Sequence, residues 1–211
     1  MHPNPAFRGQ AETEALATAR ARGFGILTAA GADGPLASHV PFLLSADGTE
    51  AEGHLVRSTA LTRALNAAGG PLDALLIVSG PDAYVSPDWY GEDDKVPTWN
   101  YVAVHLRGRL RLVAERDMRA HLDRLSAHFE GHLLPKKPWK TDKMQPETLE
   151  KMMRSILPFA LEITGVESTV KLNQNRSDSA RRGAADAIAA GGTPGMETAA
   201  IAAMMRALDD A

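Results

Sequence analysis

Between Tyr101 and Val113 the side chains alternate with a period of two. Val102, Val104, Leu106, Leu110 and Leu112 fall on one face, and His105, Arg107, Arg109 and Arg111 on the other. A stretch this long with one apolar and one wet face reads as a strand laid over a core, and it favours a sheet architecture. Gly108 sits on the apolar face, where a missing side chain permits the bend or bulge that barrels use to close. The basic stripe is either the solvated face or a surface that touches phosphate, and the pattern leaves both open.

Other segments supply more strands. Phe24 to Ala30 is apolar and extended, and Gly31 to Gly34 forms a turn. From Pro35 to Leu44, Leu36, Ser38, Val40 and Phe42 face one way while Ala37, His39, Pro41 and Leu43 face the other, which predicts a hairpin. Glu50 to Val56 is a further strand after the Asp47-Gly48 turn, and Asp73 to Ser79 another. Its unbroken Leu75-Leu76-Ile77-Val78 predicts cover on both faces. Phe159, Leu161 and Ile163 alternate as a last strand.

Helices are predicted over Gln10 to Arg22, around Leu61 and Leu65, over Asp117 to Glu130, over Pro146 to Leu157 and over Ser177 to Ala190. A final helix follows the Gly191-Gly192-Thr193-Pro194-Gly195 break. About six strands with hairpin turns and few βαβ spacings give a mostly β fold, an antiparallel barrel decorated by helices.

With 211 residues the chain can build one substantial core with an appended helical element. The expected division is a barrel domain over 1–183 and a helical extension over 184–211 packed on it. A net charge of −3 does not draw in nucleic acid or an anionic membrane, so any DNA contact must come from a local patch. The absence of cysteine excludes disulfides, thiolate metal sites and a thiol nucleophile, and fits a cytoplasmic protein. No apolar run approaches the length of a membrane span.

Aromatic residues are concentrated in one place. All three tyrosines and two of the three tryptophans lie between Tyr84 and Tyr101. Half-wet rings of this kind suit a planar ligand, and equally a loop packed onto a barrel. Arg57 and Ser58 stand where a strand hands over to a helix; unpaired amides, the dipole, Ser58 as cap and a guanidinium outline an anion site, or an ordinary capped helix. The run Lys171 to Arg176, KLNQNR, packs two cations and three amides into six residues, which serves a heterocycle and phosphate or a plain turn. His121, His128 and His132 fall near one helical face, but nothing in the sequence completes a zinc set. Neither a hydrolase elbow, a P-loop nor a Rossmann fingerprint occurs.

Taken together, SHVPFLL (38–44), GHLVRS (53–58), GPDAYVSPDWY (80–90), VPTWNYVAVHLRGRL (96–110) and KLNQNR (171–176) resemble the PaiB family, described as FMN-binding negative transcriptional regulators. The resemblance implies the FMN-binding split barrel, six antiparallel strands with peripheral helices, and a homodimer that holds FMN between subunits. It further implies that Ser38, His39, Val40 and Pro41 form a shelf beneath the isoalloxazine and that His54, Arg57 and Ser58 clasp the phosphate. Trp99 and Asn100 would flank the ring, and Lys171, Gln174 and Arg176 would close the site. The usual wording near the clasp is closer to HVARANP, whereas here Arg57 is followed by Ser58, Thr59 and Ala60, and the loop at Gly91 to Lys95 is shorter. The implied function is a flavin-dependent redox protein or a flavin-sensing regulator. The alternatives are a sequence-specific DNA-binding repressor and a haem-binding split barrel, the latter lacking any histidine after His132 as a C-terminal axial ligand.

Overall fold

The computed structural model describes residues 1–8 and 11–208. Gln10, where the sequence starts its first helix, and the last residues of the expected extension, 209–211, lie outside the described residues. The strands are β1 (Phe24–Gly31), β2 (Gly34–Leu44), β3 (Glu50–Val56), β4 (Leu72–Val85), β5 (Thr98–Leu112) and β6 (Ile156–Lys171). The helices are α1 (Glu12–Arg22), α2 (Ala60–Ala68), α3 (Met118–Gly131), α4 (Pro146–Met153), α5 (Asp178–Ala189) and α6 (Thr198–Ala207). The strand order is β1-β2-β3-β6-β5-β4, a closed barrel. The predicted hairpin is β1 with β2, in antiparallel register from Phe24↔Pro41 to Gly31↔Gly34.

Contacts divide the chain into two compact units. The first comprises Met1–Thr18, Ser79–His105 and Glu167–Ala211, the second Ala19–Val78 and Leu106–Val166.

In the second unit the inward side chains of alternating strands build the core, with Leu27, Phe42, Leu55, Leu76, Leu106, Leu110, Phe159 and Leu161 buried. Gly108 is required because β5 and β6 approach there. A Cβ on it would lie 1.9 Å from the Glu162 carbonyl oxygen. Two predicted boundaries change. The helix drawn to Leu157 stops at Met153, because Ile156 and Leu157 enter the ladder opposite Val56 and Leu55 and the sheet outcompetes the helix. Leu75 and Ile77 are only half-buried, whereas Leu76 and Val78 are buried, so the expected cover on both faces is replaced by an ordinary alternation.

In the first unit, α5 and α6 close a core of their own. Ala180, Ala184, Ile188, Ile201 and Met205 pack with Ala83, Val85, Tyr90, Val102 and Leu172. Small alanine faces let the helices sit close. The Gly-rich break before α6 is held by backbone bonds, since Asp82 N–H donates to the Met196 carbonyl at 2.9 Å and Tyr84 N–H to that of Pro194 at 2.8 Å. Among the described residues no helix is long and apolar enough to cross a membrane.

Candidate functional site

Within the second unit the junction of β3 and α2 carries the predicted phosphate residues. The cap of α2 is Thr59, not Ser58: its hydroxyl accepts from Thr62 N–H at 3.3 Å. The reason is a turn after β3, closed by Thr59 N–H on the Val56 carbonyl at 3.2 Å, which puts the extended cap residue one position past Ser58. Ser58 is exposed, and its carbonyl accepts from Arg63 Nη1. Arg57 donates from Nε to the Arg154 carbonyl at 2.6 Å and from Nη2 to the Glu115 carboxylate at 2.5 Å, with its side chain 39% exposed.

His54 meets a histidine of α3. Its Nδ1 lies 3.2 Å from His121 Nε2, and the rings meet edge to face. His121 is buried on α3, 3.7 Å from the Glu52 carboxylate, which Arg124 grips with two donors at 2.9 and 2.6 Å. Burial, and then the neighbouring His121, pushes the His54 imidazole down to about 4. Burial likewise lowers His121 against the opposing pull of Glu52. This chain of four side chains was only partly legible. His121 stood out by its spacing to His128 and His132, but nothing in the sequence pairs it with β3.

On β2, the predicted shelf splits by the pleat. Val40 is buried, Ser38 and Pro41 are half-buried, and His39 is exposed and stacked on Phe24 at 6.3 Å. A cavity of about 520 Å³ under the loop after α3, lined by Trp139, Leu134, Arg119 and Asp123, carried no sequence signal.

Within the first unit, Trp99 is 45% exposed and meets Tyr84 edge-on at 6.2 Å. Its neighbour Asn100 points the other way, as strand alternation requires, and is fully buried with Nδ2 on the Met205 sulfur at 3.2 Å and Oδ1 without a hydrogen-bond partner among the described residues. Lys171 donates to Thr98 Oγ1 at 2.5 Å and lies 5.8 Å from the Phe7 ring centroid. Burial, then the charge of Arg176, lowers its pKa. Gln174 is structural: it accepts from Leu172 N–H and donates to the Val170 carbonyl, pinning the KLNQNR turn. Arg176 stacks its guanidinium 5.1 Å over the Tyr90 ring. The second unit thus brings together Arg57, Ser58 and α2, and the first Lys171 and Arg176, while Trp99 meets Tyr84 instead.

The family model described as "Putative FMN-binding domain" matches residues 1–165. The chain belongs to this family. Membership in the FMN-binding family assigns FMN as its cofactor. Among curated relatives it is 31% identical over 146 residues to the "Protease synthase and sporulation protein PAI 2" of Bacillus subtilis (strain 168), covering 68% of each chain, which bears out the PaiB resemblance. It is 25% identical over 180 residues to the "Uncharacterized protein AN0679" of Emericella nidulans, covering 69% of this chain and 72% of that one. Among solved structures, the FAD and haem binding protein of Mycobacterium smegmatis superposes with a TM-score of 0.56 at 18% identity, over 90% of this chain and 82% of that one. The conserved hypothetical protein Rv2991 of Mycobacterium tuberculosis gives 0.55 at 14%, over 80% and 90%. These likenesses show the split-barrel fold.

Proposed function

We propose that this member of the family is a homodimeric flavoprotein in which FMN works as a redox or sensing group, and not a DNA-binding repressor. The observation that carries the flavin reading is the donor set at the β3–α2 junction. A guanidinium, an exposed serine hydroxyl and the amide end of a helix of nine residues lie together at Arg57, Ser58 and Ala60–Ala68, and the largely exposed Glu115 carboxylate on Arg57 is the anion that a phosphate would displace. Cations and helix-start amides are what a phosphate monoester needs. The donor chemistry therefore fits FMN. Bound flavin supplies hydride and single-electron chemistry, and the chain's part is to bind, orient and shield it.

A homodimer is supported by the outward side of the β1–β2 hairpin. Phe24 is 46% exposed and stacked on the exposed His39, an apolar surface on a sheet face that a second copy of the chain would cover. Against DNA stand two observations. The basic stripe of β5 is largely neutralised, with Arg109 on Asp73 at 2.7 Å and Arg111 on Glu50 at 2.9 Å. The apolar faces of α5 and α6 are spent on the core of the first unit, so neither is set out as a recognition helix.

The test is direct. Purified protein should carry or take up FMN with a flavin absorption spectrum, and anaerobic NADH or NADPH should bleach it if the flavin is redox-active. A colourless protein that takes up no FMN would sink the reading. Gel shifts against its own upstream region at two salt concentrations should show weak binding or none, and specific nanomolar binding would restore the repressor.

A further inference from the structure

We propose that the cavity of about 520 Å³ between α3 and the loop after it binds a small uncharged aromatic molecule, at a site separate from the donors of the β3–α2 junction. Size is the first ground. Ligand cavities run from about 300 to 1,000 Å³, so this one has room for two fused rings and a substituent. The loop that walls it is fastened to α3 at two points. Glu130, near the end of the helix, accepts from Trp139 N–H at 2.6 Å and from the Lys136 ammonium. Thr141 is buried, donates to the Asp123 carboxylate at 2.7 Å and accepts from Arg119 at 2.5 Å. The wall therefore stands before any ligand arrives, and binding does not have to order it.

The lining gives the chemical class. Trp139 is half-buried, and beside it stand Pro138 and Leu134, the leucine 65% exposed. An indole next to an uncovered leucine is apolar surface that a flat ring would remove from water. Charges around the cavity cancel, with Arg119 and Lys140 against Asp123 and Asp142. Both oxygens of Asp123 are already engaged, by Thr141 and by Arg119 Nε at 3.1 Å, and these bonds, Thr141 first, hold its carboxyl below the usual range. Lys140 and Asp142 are exposed, and neither has an ion-pair partner among the described residues. An ionic ligand would give up its hydration here without a net opposite charge to meet it, which favours a neutral one. The half-buried Ser126 hydroxyl on α3 lies in the same wall and can bond an amide or hydroxyl on the ring's edge. None of these residues belongs to the donor set assigned to FMN, so the site stands or falls without the flavin reading.

The experiment titrates 2-naphthamide, 2-naphthoate and 2-naphthylmethylammonium, one ring system with three charges, into the full chain by calorimetry. The amide should bind one-to-one with a Kd below about 1 mM, and each ion about tenfold or more weaker. Trp139→Ala should weaken the amide about tenfold or more, and Trp139→Phe should keep most of the affinity. Ala127→Leu changes an exposed helix position on the cavity wall to another good helix former, so it should stay folded, fill the space and abolish binding. Saturating FMN should leave the amide's affinity unchanged. No saturable binding to the wild type, or equal affinity in wild type and Ala127→Leu, overturns the site. An ion that binds as tightly as the amide refutes the uncharged class, and displacement of the amide by FMN refutes a separate site. A protein that takes up no flavin but binds the amide as expected would refute only the function proposed above.

Discussion

The pair formed by His54 and His121 should make stability depend on pH in a way that can be isolated. Its hydrogen bond needs a neutral imidazole as acceptor, and the groups facing it are Glu52 on β3 and Arg124 on α3. With His54 held down to about 4 against an ordinary 6.5, the native state keeps a neutral ring where the unfolded chain takes up a proton. The contribution is therefore fully present above about pH 6.5 and is lost as pH falls toward 4. Lowering the pH from 7.5 to 5 crosses about 1.5 units of that window, ~2 kcal/mol at full value. His54 is only partly buried, so solvent screening brings the expectation to about 1 kcal/mol. Urea denaturation of wild type and His54→Gln at both pH values measures it, since acid effects from carboxylates are common to the two proteins. The wild type should lose about 1 kcal/mol more than the variant. Parallel pH slopes would refute the coupling.

Three other outcomes follow from the geometry. Gly108→Ala must push backbone against backbone at the Glu162 carbonyl, and the variant should lose several kcal/mol or fail to fold, read by thermal unfolding. Met205→Ala empties a fully buried position between α6 and the core of the first unit and should cost ~2–5 kcal/mol in urea denaturation. Arg57→Ala should weaken FMN by about tenfold or more and riboflavin little, by fluorescence titration; equal losses would move the phosphate away from the β3–α2 junction.

The barrel was legible where side chains report their own environment. The alternation in β5, the hairpin of β1 and β2 and the glycine at 108 are local signals, and each one matches an element of the structure. Boundaries failed where two elements compete for the same residues. Ile156 and Leu157 suit a helix by spacing, but pairing with Val56 and Leu55 claims them for β6. Site residues were legible as types, since Arg57 and Lys171 were singled out by sequence, but their partners were not. Glu115 lies 58 residues from Arg57, and no local pattern announces that a surface carboxylate will occupy the guanidinium.

The bonds from Asp82 and Tyr84 to the Gly-rich segment before α6 bear on how the chain can be cut. A version ending at Gly191 would strip the Met196 and Pro194 carbonyls from these two amides and bare Ala83 and Val85 beside them. That leaves an open, apolar strand border in β4, the kind of surface that recruits strands from neighbouring molecules. Such a truncated chain should precipitate, or recover solubility only by borrowing the tail of another copy.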